Sequence, residues 1–427
     1  MPQFFSLPFK NRAAHPLAGV TVLQIIPDLE LNPTARAAIS IAAALGAAGA
    51  RALIACAGGQ MMGELQAKGG VFVPFPARAK GPLAMALNVR RLARLIAMEN
   101  ADIVHVRSRA LAWVAYGATR LTRTPFVTTF ASIGEGSNPT ARRYNSVLAR
   151  GDTVLAESNF AARLAANLHP PAAGKTRVVH HGLDCQVFTP DAVTPARVQA
   201  ARRHFKVAPH EQIVLLAART RQDSGHKILI QAAGLLSRSG LAGVKFIVAC
   251  GDENSALERR LDRAIATEGL QGIMYRTGHC DMPAALLAAS IVVVPATEAR
   301  AFGDAAIQAQ AMGTPVIAAN LAAAPEAVLA PPMVADSLRT GFLVKPGDAT
   351  ALALAIATVL GLGATASGRL SARARKHVET CFSAEQMCDA TLEAYVDVRR
   401  GGGRRLLDLP ACRTFRPSFF SKSSRLP

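Results

Sequence analysis

Residues 298–319 read EARAFGDAAIQAQAMGTPVIAA, directly after the apolar β-branched run Ile291-Val-Val-Val294-Pro295. Residues 305–312 are good or tolerable helix formers. Gly313 stands where a helix C-cap is wanted, Thr314 and Pro315 close the turn, and Val316 starts a new strand. The pattern is strand, loop, helix, Gly-Pro stop, strand, which is one unit of a parallel α/β domain. Phe302 and Gly303 stand just before the helix, where a glycine lets backbone approach a ligand closely. The helix N-terminus that follows offers free N–H groups and a positive dipole end suited to phosphate.

Outward from this stretch the same grammar repeats. Residues 19–27 (GVTVLQIIP), 51–57 (RALIACA), 71–74 (VFVP), 102–109 (DIVHVRSR), 126–129 (FVTT) and 152–156 form a first set of strands. They are continuous and apolar, as strands buried on both faces should be. Residues 37–45 form a helix. Residues 88–98 (NVRRLARLIAM) form an amphipathic helix with Arg90, Arg91 and Arg94 on one side and Leu92, Leu95 and Ile96 on another. A second set of strands opens at residues 212–217 (QIVLLA) and continues at 245–250, 274–277 and 342–344. Residues 349–368 carry no charge. They read as an Ala-rich helix packed on the second domain rather than as a membrane span.

These segments resemble glycosyltransferase family four, whose members have the GT-B fold of two Rossmann-like, doubly wound parallel-sheet domains. The resemblance covers roughly residues 18–398. It implies an N-terminal extension at 1–18, an acceptor-side domain at 19–185, a nucleotide-sugar domain at 186–398 whose last helix crosses back, and a basic tail at 399–427. The string RVVHHGLDCQVFTP at 177–190 matches the family's crossover through Gly182, Leu183, Asp184, Phe188 and Pro190. The donor-binding positions fall on Arg219, Ser224, Phe302, Gly303, Asp304 and Gln308. The acceptor-side candidates are Arg36, Arg107 and Arg109, the last two just past a strand's carboxyl end, where open α/β sheets hold ligands.

The catalytic positions depart from the family. Its paired glutamates, with seven residues between them, align with Arg300 and Gln308. A histidine common near the reacting centre aligns with Ala131. The phosphate-binding lysine aligns with Ser224, and the Gly-Gly loop reads Leu31-Asn32-Pro33-Thr34. Proline removes an N–H and fixes φ, so that loop lacks the family's donors. A glutamine at 308 still hydrogen-bonds a ribose, but without the charge assistance that roughly doubles such a bond.

Composition and charge narrow the class. Half of the 427 residues are apolar and 18% are charged, which suits a packed globular chain long enough for two domains. The formal charge is +19. Residues 1–190 hold 20 Lys/Arg against 9 Asp/Glu, and residues 399–427 hold 8 against 1. A basic first half suits an anionic partner: a phospholipid surface, or a phosphorylated glycolipid or saccharide. Nucleic acid is not expected as a partner, since the body shows no recognised binding module. The seven cysteines include no CxxC pair, so they read as reduced thiols of a cytoplasmic protein rather than a zinc site. His180 and His181 are adjacent on an expected strand and so point to opposite faces, and no metal or other cofactor is implied. The N-terminal residues are too short and Pro-broken in their apolar part to read as a signal peptide.

The expected activity is therefore transfer of a sugar, with retention, from a nucleotide-sugar to an envelope glycolipid or polysaccharide at the inner membrane face. The alternative is a catalytically inactive relative that binds nucleotide or protein.

Overall fold

The computed structural model describes residues 15–79, 81–130, 139–217, 225–249, 256–299 and 304–401. The chain divides into two compact units. Unit 1 runs to Gly182 and resumes at Ala384; unit 2 spans Leu183 to Ser383.

In unit 1 the elements are β1 (Thr21–Ile25), α1 (Pro33–Ala47), β2 (Arg51–Cys56), α2 (Met62–Ala67), β3 (Val71–Pro74) and α3 (Pro82–Met98). They continue as β4 (Ile103–Val106), α4 (Arg109–Thr122), β5 (Phe126–Phe130), α5 (Pro139–Asn145), β6 (Thr153–Ala156), α6 (Asn159–Leu168) and β7 (Thr176–Val178). The seven strands are all parallel, in the order β3-β2-β1-β4-β5-β6-β7. Strand order therefore reverses between β1 and β4. The period-two pattern sorts the strand side chains: Val22, Gln24 and Ile26 face one way and Leu23 and Ile25 the other, all of them buried.

Unit 2 contains α7 (Pro195–His204), β8 (Gln212–Ala217), α8 (His226–Arg238), β9 (Val244–Ala249), α9 (Ala256–Thr267), β10 (Met274–Thr277), α10 (Met282–Ala288) and β11 (Ile291–Val294). It goes on through α11 (Asp304–Ala311), β12 (Val316–Ala319), α12 (Ala324–Ala327), β13 (Phe342–Val344), α13 (Ala349–Leu360) and α14 (Ala364–Cys381). Its six strands are parallel in the order β10-β9-β8-β11-β12-β13, with the reversal between β8 and β11. Ile213, Leu215 and Val292 lie in one apolar cluster, and Val214, Leu216 and Val293 in another on the opposite face. A sheet covered on both faces explains why these strands read as unbroken apolar runs.

The last helix, α15 (Ala384–Arg399), belongs to unit 1. Its Met387, Cys388, Leu392, Ala394 and Tyr395 join the cluster built by α1, β1 and β2. The two passages between the units run side by side. Within unit 2 the Leu183 amide donates to the Phe382 carbonyl at 2.7 Å. Within unit 1 Gly182 packs so closely on Ala384 that a Cβ would overlap its backbone.

The charge-free run at 349–368 is not one helix. It breaks at residues 361–363, and α13 and α14 diverge by 111°. Glycines at 361 and 363 end the first helix and start the second. Leu352, Ile356 and Val359 of α13 are buried against the sheet of unit 2. Among the described residues no single helix is long and apolar enough to cross a membrane.

Candidate functional site

The sequence places its candidate loops after particular strands, and the topology gives those strands meaning. In unit 2 the loop carrying Arg219 and Ser224 follows β8, and the loop carrying Arg300, Phe302 and Gly303 follows β11. β8 and β11 are neighbours that flank the reversal of strand order. The carboxyl ends of such a strand pair are where open α/β sheets open a crevice for ligands. Arg219, Ser224, Arg300, Phe302 and Gly303 themselves lie outside the described residues, as does Ala131 of unit 1.

The described flanks of the two loops meet. Gly225, which ends the first loop, has φ +77°, and a Cβ there would overlap the Pro295 carbonyl that follows β11. Only glycine fits that contact and that backbone. In the sequence, a glycine just before a helix is the one visible signal of this contact. Asp304 opens α11 and is exposed. Gln308, one turn later, is half-buried on the same face. The register of α11 is held from behind. Gln310 is fully buried and its Nε2 donates to the Ala327 carbonyl at 2.8 Å, while Thr314 Oγ1 donates to the Leu286 carbonyl at 2.7 Å.

Unit 1 repeats the arrangement with cations. Arg36 follows β1, and Arg107 and Arg109 follow β4, the two strands that flank its own reversal. Arg36 is exposed in the first turn of α1. The loop ahead of it satisfies its own donors. Asn32 Oδ1 accepts from the Ala35 amide at 2.9 Å and Asn32 Nδ2 donates to Asp28, which is also paired with Arg78. Pro33 occupies the first helical turn. Arg109 donates to Asn145 Oδ1 at 3.2 Å. Arg107 keeps a partly exposed edge, but its Nε is sealed from solvent with no hydrogen-bond partner among the described residues. Burial pulls its guanidinium below the ordinary value, while nearby Tyr395, Glu157 and Cys388 act to restore it.

Behind Arg107 lies a buried polar chain. His105 Nδ1 is 2.7 Å from Tyr395 Oη, and His105 Nε2 is 2.8 Å from Thr129 Oγ1. Burial, and then the charge of Arg107, hold His105 well below the usual imidazole range, so it is neutral. Burial pushes the Tyr395 phenol up, so it keeps its proton. The neutral imidazole has one donor and one acceptor nitrogen, and Tyr395 and Thr129 each partner one of them. Asp397 on the same helix pairs with the buried Arg177. These groups are far apart in sequence, and no motif joins them.

β7 ends at Val178, so His180 and His181 follow the strand rather than lying on it. The opposite-face expectation does not apply to them, because the chain has already left the extended pairing with β6. His180 Nδ1 instead lies 3.2 Å from the Glu157 carbonyl. Among the described residues no three His, Cys, Asp or Glu side chains gather as a metal site. Clefts of about 270 Å³ and 250 Å³ lie at the amino edges of the two sheets, beside Gln212 and Ser290 and beside Pro125 and Asp152. They are at the far edge from the candidate loops.

Comparison with known proteins assigns the two units separately. Residues 34–187 match the sequence family "Glycosyltransferase Family 4", and residues 211–361 match "Glycosyl transferases group 1". The chain belongs to glycosyltransferase family four. Among curated family relatives, the D-inositol 3-phosphate glycosyltransferase of Mycobacterium tuberculosis is 30% identical over 293 residues. That stretch is 65% of this chain and 57% of the relative's length, so the match spans little more than half of the relative. A solved glycosyltransferase from Rickettsia africae superposes with a TM-score of 0.79 at 27% identity, covering 90% of this chain and all of that one. Anabaena HepE in complex with UDP and glucose superposes with a TM-score of 0.73 at 21% identity, over 88% and 99% of the two chains, which shows the fold alone. The architecture is the GT-B class of the family, with two parallel-sheet α/β units.

Proposed function

We propose that the protein transfers a sugar, with retention, from a nucleotide-sugar to an anionic envelope glycolipid or polysaccharide at the inner membrane face. The observation that carries this reading is the convergence of both donor-side loops on the β8–β11 reversal, closed by the Gly225–Pro295 contact. Arg219 and the α11 N-terminus neutralise the diphosphate as it leaves. Gln308 hydrogen-bonds the ribose. In unit 1 Arg107, beside Arg36 and Arg109 at the same reversal, offers its guanidinium to the acceptor's anionic group. The relative that acts on D-inositol 3-phosphate and the structure holding UDP support an anionic acceptor and a nucleotide donor.

The replaced family positions at Ala131, Ser224, Arg300 and Gln308 favour a second reading, a nucleotide-binding relative without turnover. Calorimetry against UDP, GDP and their sugar conjugates tests both. Selective binding of one nucleotide-sugar, lost in Arg219→Ala, supports a working donor site and names the donor for a turnover assay. Binding without turnover leaves the second reading. No heat with any nucleotide from folded protein refutes the transferase reading and leaves an inactive relative that binds protein.

A further inference from the structure

One helix of unit 1 presents a face that the donor and acceptor chemistry does not use. α3 buries Asn88, Leu92 and Ile96. At about 100° per residue, Leu83, Leu87, Arg90, Arg91, Arg94 and Met98 all fall within a sector of roughly 100° on the opposite side. The structure leaves all six exposed, with Leu83 at 76% and Met98 at 77% of full exposure. Single exposed leucines are ordinary. Two leucines and a methionine interleaved with three arginines along one helix, about 22 Å from end to end, are not.

Charge selects the occupant. Neither α3 nor α4, which packs beside it, contains an Asp or Glu. Residues 65–151 hold 13 Lys/Arg and only three acids, Glu99, Asp102 and Glu135. Glu99 is paired with Arg51 and Asp102 accepts from the Thr21 amide. Arg90 and Arg94 have no carboxylate partner among the described residues; Arg91 donates to Asn88 Oδ1 of its own helix. The C-terminal end of α4 also exposes Leu121 and Arg123, beside an Arg120 that is paired with Asp152. A protein partner for such a face would need matching carboxylates set among apolar pockets. An anionic bilayer surface supplies both features at once, phosphate charge above and acyl carbon below. Arginine stems lie along apolar surface while their heads stay at the phosphates. The face is preformed, since α3 is seated on α4 where a Cβ at Gly117 would come within 3.1 Å of Val89.

We propose that the outer face of α3 docks the protein on an anionic phospholipid surface. The inference rests on the membrane-facing part of the proposed function and is independent of turnover.

The test is co-sedimentation of the full chain, without nucleotide, with vesicles of phosphatidylcholine alone and of phosphatidylcholine with phosphatidylglycerol. Binding is expected only to the second kind and weakens as salt rises. Each arginine lost lowers the partition constant about fivefold, so Arg90→Ala, Arg91→Ala and Arg94→Ala together lower it about a hundredfold. Leu83→Ser with Leu87→Ser also weakens binding. All five residues are exposed and the arginine variant loses only the Arg91–Asn88 bond, so both variants keep the wild-type circular dichroism spectrum. A third variant, Arg404→Ala, Arg405→Ala, Arg413→Ala and Arg416→Ala, keeps binding that still depends on α3.

Wild-type binding by either α3 variant overturns the proposal, as does complete loss in the third variant alone. Self-association through α3 without vesicle binding also overturns it and gives the face to a second copy. Nucleotide calorimetry, run without vesicles, reads the donor site separately.

Discussion

Replacing Tyr395 by phenylalanine tests whether α15 is held in unit 1 by its polar chain as well as by packing. The ring is fully buried and sits edge-on to His105, with centroids 5.7 Å apart at 75°, so Tyr395→Phe leaves the apolar contact in place. Only the 2.7 Å bond to His105 Nδ1 is lost. His105 is itself 1% exposed, so no water replaces the missing partner. A ring nitrogen left unsatisfied in such a place costs about 1–3 kcal/mol. Because two units need not unfold together, a single melting temperature is a poor measure. Hydrogen exchange resolved by segment is better. The cost corresponds to exchange of α15 amides about 5- to 150-fold faster, with unit 2 unchanged. Thr129→Val removes the other end of the chain. Since both substitutions act through His105, their combined effect departs from additivity by about 0.5–3 kcal/mol. If Tyr395→Phe leaves exchange in α15 within about twofold of wild type, the hydrogen bond contributes nothing and apolar packing alone holds the helix.

Three further outcomes follow from the same geometry. His105 stays neutral when folded but takes up a proton near pH 6.5 when unfolded, so the unfolded chain binds more protons below that pH. Stability of unit 1 therefore falls as pH drops from about 7, by up to about 1.4 kcal/mol per pH unit from this group, and His105→Gln flattens that slope in denaturant titrations. His169, held low by burial and then by Arg142 and Arg150, adds in the same direction. Gly225→Ala forces a side chain against the Pro295 carbonyl at positive φ, costing about 2–4 kcal/mol, read as earlier chemical unfolding of unit 2 and loss of nucleotide binding. Gln308→Glu restores charge assistance to a ribose bond and tightens nucleotide binding about fivefold by calorimetry; unchanged affinity removes Gln308 from the donor site.

What the sequence made legible follows from periodicity. β1, β2, β8, β11 and β12 are sealed on both faces, so each is a bare apolar run bounded by turn residues. α11 showed itself through its formers and through Gly313, which has φ +72° as its stop. α4 did not. Trp113, Val114, Tyr116, Gly117, Thr119 and Thr122, weaker helix formers, interrupt its Ala, Leu and Arg, and the burial of Leu111, Val114, Ala115 and Ala118 on one face supports the helix. The bend between α13 and α14 was hidden because composition alone joins the two segments. The donor-side positions were readable because a loop after a parallel strand is where a family writes its chemistry. His105, Tyr395 and Thr129 were not, because 290 residues separate the first two and no local pattern encodes a contact at that distance.

The late return of the chain into unit 1 also sets an order of assembly during synthesis. Unit 2 is continuous from Leu183 to Ser383, so all of its strands have left the ribosome before α15 does. Unit 1 begins first but waits for Leu392, Tyr395 and Asp397 to cover the cluster around α1 and to pair with Arg177. Domains commonly fold in the order they emerge. Here about 200 residues are made between the body of the first unit and its last helix, so the apolar cluster around α1 is without α15 until the whole second unit has been synthesised.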